Sequence, residues 1–96
     1  MNGSPTKAVV VRIEGRVQGV WYRGWAVSEA IARSLRGWVR NRADGTVEAL
    51  FAGPKGDVDA MLEACWQGPP AARVTNVLPR PVDDSGEPGF HALPTR

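Results

Sequence analysis

The chain predicts one α+β domain of order β-α-β-β-α-β with a further short strand at its end, and three observations carry that expectation. Apolar residues alternate with period two near the start, two later stretches space them three and four apart, and turn residues separate the segments. Ninety-six residues suffice for one hydrophobic core and leave no room for a second.

Residues 1–6 read as a disordered tail and residues 7–96 as the domain. From Lys7 to Glu14, Val9, Val11 and Ile13 fall on one face of a strand, and Gly15 is expected to end it. From about Tyr22 to Leu35, the pairs Ala26/Val27, Ala30/Ile31 and Ser34/Leu35 recur four apart and draw an apolar stripe along a helix. Gly37 to Asn41 and Thr46 to Ala52 form two strands around Asp44-Gly45, a dipeptide that accepts positive φ and so marks a hairpin. Gly53-Pro54 stops the second, and Asp57 or a neighbour is placed to cap another helix. Val58, Met61, Leu62, Cys65 and Trp66 then follow helical spacing until Gly68-Pro69-Pro70 ends the run. Arg73 to Leu78 reads as a strand, Pro79 to Gly89 as a loop, and Phe90 to Leu93 as the closing strand. Two helices on one face of an antiparallel sheet, the ferredoxin-like arrangement, is the economical solution for this order.

At 43% hydrophobic and 23% charged residues the composition is that of a globular domain, and no apolar run approaches membrane-spanning length. The N-terminus lacks the apolar core of a secretory signal, so the reading is cytoplasmic. One cysteine, Cys65, excludes an internal disulfide, and with the lone His91 it argues against a zinc site. Cys65 lies on the apolar stripe and reads as core rather than as a nucleophile. Asp57 and Asp59 read as helix-dipole partners rather than a metal pair. Trp21 and Trp25 are placed to floor a cleft, whereas Trp38 and Trp66 read as core. Residues 1–48 carry eight basic against four acidic side chains, and ten of the twelve basic residues of the chain are arginine. So local an excess suits a small anion better than a nucleic acid.

The basic half contains Gly15, Arg16, Val17, Gln18, Gly19, Val20, Trp21, Tyr22 and Arg23, a glycine-punctuated turn between a strand and a helix. Free N–H groups where a loop opens into a helix, a helix dipole and a guanidinium together make a phosphate-binding candidate of this segment. The same glycines serve as well to shape a bare turn beside a solvated Arg23. Asn41, at the end of the strand after the helix, offers an amide that accepts from a water and donates to a phosphoryl oxygen; it also fits as a strand-ending residue before the hairpin. No Walker loop, Gly-x-Ser-x-Gly or His-x-x-x-His occurs. An enzyme with so few reactive groups needs an easy reaction. Hydrolysis of a carboxylic-phosphoric anhydride qualifies, because a carboxylate leaves readily and the transition state asks little of the nucleophile.

The run Gly15-Arg-Val-Gln-Gly-Val-Trp-Tyr-Arg23, followed by Gly37-Trp-Val-Arg-Asn41-Arg-Ala-Asp-Gly45-Thr-Val47 and Gly53-Pro54, resembles the paired signatures of the acylphosphatase family. The resemblance reaches from Lys7 to Thr95. It implies the ferredoxin-like fold, phosphate bound by the turn's amides, Arg23 as the catalytic arginine, and Asn41 orienting the attacking water. It further implies a small acyl phosphate as substrate, inorganic phosphate as product or inhibitor, and no metal or other cofactor. Hydropathy and the modest charge predict no membrane or nucleic-acid partner, and so small a fold is expected to work as a monomer. The family usually shows Leu-Gly-Leu where Arg33-Ser34-Leu35 stands here, and smaller or Phe side chains at Trp21 and Tyr22, a difference expected to narrow the cleft. Rival readings are an acyl- or carbamoyl-phosphate binding or transfer module and a ferredoxin-like RNA binder. The second lacks stacking aromatics, since the strand from Thr46 offers only Phe51.

Overall fold

Alternation at the start of the chain produces the long strand β1 (Thr6–Arg16) in the structure, a computed structural model that describes residues 5–83 and 87–96. It is followed by α1 (Tyr22–Ala32), β2 (Arg36–Asn41), β3 (Val47–Pro54), α2 (Lys55–Gln67), β4 (Arg73–Pro81) and β5 (Phe90–Ala92). The strands form one sheet in the order β4-β1-β3-β2-β5. Val9, Val11 and Ile13 of β1 are buried with Val47, Ala49 and Phe51 of β3, Tyr22, Ala26 and Ala30 of α1, and Val58, Met61 and Cys65 of α2. Each such fully buried Val, Ile or Phe is worth roughly 1.5–3 kcal/mol over exposure.

Several boundaries differ from expectation, each for a physical reason. Of the tail, residues 1–4 lie outside the described residues, while Thr6 opens β1 and the Pro5 carbonyl accepts from Lys55 N at 3.0 Å. Gly15 does not end β1. The register slips between Glu14 and Gly15, and a glycine at φ +120° continues the pairing with Val74 where a Cβ would strike the Arg73 carbonyl. At the far end of the sheet, β3 runs on to Pro54 and α2 starts at once, so Asp57 lies in its first turn rather than capping it. Asp59 accepts from Lys7 Nζ at 2.7 Å and Lys55 Nζ at 2.8 Å, which ties α2 to β1.

Helix α1 stops at Ala32 because Ser34 adopts φ +57°. Leu35 N donates to Ala30 O and Ser34 N to Ile31 O, both at 2.9 Å, the paired bonds of a left-handed helix stop. Ile31 is 59% exposed and Trp66 48%, so the stripes are narrower than their spacing suggests and Trp66 is not core. Alanines at 26 and 30 let α1 sit close on the sheet, which leaves the flanking position at its margin. Strand β4 extends through Pro79 and Pro81, residues expected in a loop. It is an edge strand, and two prolines two apart both turn their missing donor away from β1. The sheet is mixed rather than wholly antiparallel. After β4 the chain reverses, and the strand it meets at the opposite edge, β2, runs the same way as β5. Phe90 stacks on Phe51 there, with ring centroids 5.5 Å apart.

Candidate active site

The turn between β1 and α1 is held by the core and by the β2–β3 hairpin. Val17 and Val20 are buried in the core, and Gln18 Nε2 donates to the carbonyls of Arg42 at 2.8 Å and Thr46 at 2.9 Å, which braces the turn against the β2–β3 hairpin. Gly19 at φ +73° and Trp21 at φ +67°, ψ +27° place two left-handed residues in it. Alternation of hand in consecutive residues brings successive N–H groups toward one point, the geometry of an anion nest. Among the described residues, no protein acceptor receives the backbone N–H of any residue from 18 to 24; the first helical bond is Trp25 N to Trp21 O at 3.0 Å. Helix α1 therefore opens with its donors free and with no capping side chain.

A cleft of about 310 Å³ is lined by residues of this turn. Its lining includes Val17, Gly19, Trp21, Tyr22 and Arg23 from the turn and first helical residues, and Asn41 from the end of β2, so the fold brings the two sequence-flagged segments to one cavity. Arg23 has no carboxylate within 4.0 Å among the described residues, in contrast to Arg12, Arg33, Arg40 and Arg42. The Asn41 carbonyl accepts from Arg96 N at 3.0 Å, which fixes its backbone, while its side-chain amide has no partner among the described residues.

Other flagged residues fall elsewhere. Gly15 and Arg16 belong to β1 and pair with Val74 and Arg73, so the glycine at 15 makes room for a neighbouring strand rather than for a ligand. Gln18 turns its side chain to the hairpin, and the Val20 side chain is core. Tyr22 does not narrow the cleft with its ring. That ring is buried, meets Trp25 edge-on at 5.2 Å and donates its hydroxyl to the Cys65 carbonyl at 2.6 Å. Burial pushes the Tyr22 phenol well above its ordinary range and the Cys65 thiol up to about 12, so neither exchanges protons near neutrality. His91 is exposed on β5, with Nε2 3.2 Å from the Pro88 carbonyl. Gly24 and Ala92 also line the cleft and were not flagged by the sequence. Position 24 adjoins the arginine and was legible in principle; position 92 depends on where β5 pairs.

Such an arrangement has the chemistry to receive a tetrahedral anion on main-chain N–H groups and a guanidinium, with an amide left over that can hold a water. Fold and site together define a small α+β domain built to engage a phosphoryl group. The acylphosphatase family model matches residues 9–92. An acylphosphatase of Rhodospirillum rubrum is 58% identical over 89 residues, which cover 93% of this chain and 98% of that protein. A solved acylphosphatase from Coxiella burnetii superposes with a TM-score of 0.90 at 29% identity, over 97% of this chain and 100% of that one. One from Bacillus subtilis gives 0.87 at 34% identity, over 93% and 99% respectively. The chain belongs to the acylphosphatase family.

Proposed function

We propose that the chain is an acylphosphatase that hydrolyses the carboxyl-phosphate anhydride bond of small acyl phosphates. The single observation that supports the reading most is that Arg23, Asn41 and the undonated N–H groups of the turn share one cleft. The phosphoryl oxygens rest on the turn's amides and the Arg23 fork, which bind the ground state and strengthen as charge shifts in the transition state. Asn41 accepts a hydrogen bond from a water and aims its oxygen at phosphorus. The P–O bond to the acyl oxygen breaks, the electron pair leaves on the carboxylate, and the water oxygen joins phosphate, with its proton lost to solvent. Positioning and charge stabilisation carry such a reaction without a strong base, because the leaving group is already stable.

Inorganic phosphate, the product, competes for the same amides. The reading calls for no metal or cofactor, and among the described residues no three His, Cys, Asp or Glu side chains form a metal-holding group. No helix among them is long and apolar enough to cross a membrane. We further take the protein to be cytoplasmic and monomeric; a single buried free thiol supports the first, to be checked by fractionation, and gel filtration tests the second. The deciding assay follows phosphate release from benzoyl phosphate and from phenyl phosphate, with and without a chelator. Release from the anhydride alone, unchanged by chelator, is expected. Release restored only by a divalent ion, or binding of the anhydride without turnover, overturns the reading.

A further inference from the structure

We propose that the Trp21 indole is the platform on which the acyl group lies, and that it biases the enzyme toward aromatic acyl phosphates; the inference rests on the hydrolase reading above. Trp21 is 66% exposed, an unusual state for so large an apolar ring, and it lines the cleft that holds Arg23 and Asn41. Its backbone sits at φ +67°, ψ +27°, a conformation that a bulky residue adopts only when its surroundings hold it there. The ring is folded back over the first turn of α1. It lies on Gly24, where a Cβ would collide with the indole Nε1 and Cε2, so the absence of a side chain at position 24 gives the ring its seat.

The other tryptophans do not compete for the role. Trp25 meets the buried Tyr22 ring, Trp38 lies under the Arg40 guanidinium at 4.7 Å, and Trp66 belongs to α2. With the phosphoryl group on the turn, the acyl group starts only one bridging oxygen away from phosphorus. The turn's own exposed aromatic face is then the apolar surface it meets. A flat ligand ring gains offset or edge contact with that face, while an acetyl group covers little of it.

The test compares kcat/KM for benzoyl phosphate with that for acetyl phosphate in the wild type, Trp21→Ala, Trp21→Phe and Gly24→Ala. The benzoyl-to-acetyl ratio is expected to fall about 10-fold in Trp21→Ala, mostly through KM for benzoyl phosphate. Trp21→Phe retains most of the ratio, and Gly24→Ala, which displaces the ring without removing it, lowers it in the same direction. Circular dichroism and inhibition by inorganic phosphate show that each variant is folded with a working turn. A ratio that Trp21→Ala leaves within about twofold, in an enzyme that turns over both anhydrides, overturns this inference alone. A wild type that releases phosphate from neither removes the hydrolase reading, and the inference with it.

Discussion

The two ends of α1 each carry a non-glycine residue in the left-handed region, Trp21 at φ +67° and Ser34 at φ +57°, and they use it in opposite ways. At the C-terminal end the reversal closes the helix, since Ser34 N and Leu35 N satisfy the last carbonyls at 2.9 Å. At the N-terminal end it leaves the helix open, for no acceptor among the described residues meets the first donors. The same backbone twist thus serves as a stop in one place and, in the proposed mechanism, as a receptor in the other. Arginines repeat the contrast. Arg40 is held by Glu48 at 2.8 Å and by the Trp38 ring, whereas Arg23 stands without a carboxylate partner among the described residues. Among the described residues Arg16, Arg36, Arg73 and Arg80 lack a carboxylate partner as well. What sets Arg23 apart is that it lines the same cleft as Asn41 and the turn whose main-chain donors are unpaired.

That contrast can be broken most directly at Arg23. Arg23→Ala is expected to lower turnover of benzoyl phosphate by about 10³-fold or more and to weaken inhibition by phosphate, while Arg40→Ala changes turnover less than about threefold. Similar losses in both would erase the distinction between the arginine in the cleft and one held outside it. Asn41→Ala should cost about 10²-fold in kcat while the inhibition constant of phosphate stays within about threefold, because in the proposed mechanism the amide aims water and contributes little to anion affinity. Weakened phosphate binding of the same size as the loss in kcat would show that Asn41 holds the anion instead.

Gln18 joins the open turn to the paired hairpin. Gln18→Glu keeps the shape and removes both donors to Arg42 O and Thr46 O, so stability in urea is expected to drop by about 1–2 kcal/mol with a rise in KM. A fall in stability with unaltered KM would mean that the brace does not position the turn. Ser34→Gly should stabilise the protein by about 0.5–1 kcal/mol and leave kinetics alone, since glycine adopts positive φ freely. An altered rate there would contradict the division of labour between the two helix ends.

Acidity and alkalinity probe the paired regions last. Asp44 is held below its ordinary 3.8 by hydrogen bonds from the Thr46 side chain and backbone, and Asp59 by those from Lys55 and Lys7. Both therefore contribute stability that is present above about pH 4 and fades as pH falls. Cys65 runs the other way. Its thiol is raised by burial from 9.0 to about 12, so the folded state keeps a proton that the unfolded chain loses, and stability declines as pH climbs through that interval. Thermal melts from pH 2 to 11 should show a plateau between about 4 and 9. Cys65→Ala, although less stable throughout, should show a shallower alkaline fall.

Much of this was legible because its causes are local. The Gly15 to Arg23 run, Asn41 and the Asp44-Gly45 hairpin declare themselves within a few residues, and the valines of β1 declare their face. What stayed hidden depends on partners remote in sequence. Gly15 reads as a strand end until Arg73 is seen beside it, and Gln18 reads as a ligand contact until the carbonyls 24 and 28 residues away are placed. Trp66 has faultless helical spacing and is still half-exposed, since spacing gives the direction of a side chain but not whether anything lies there. The parallel pairing of β5 follows only from the whole strand order.

Tyr22 opens α1 and lines the cleft, and its phenol donates to the Cys65 carbonyl near the far end of α2. The turn proposed to hold the anion is thereby coupled to the second helix through a buried ring, so that loosening of α2 is transmitted to it. Heat should abolish phosphate affinity and tertiary structure in one shared transition, and saturating phosphate should delay both together.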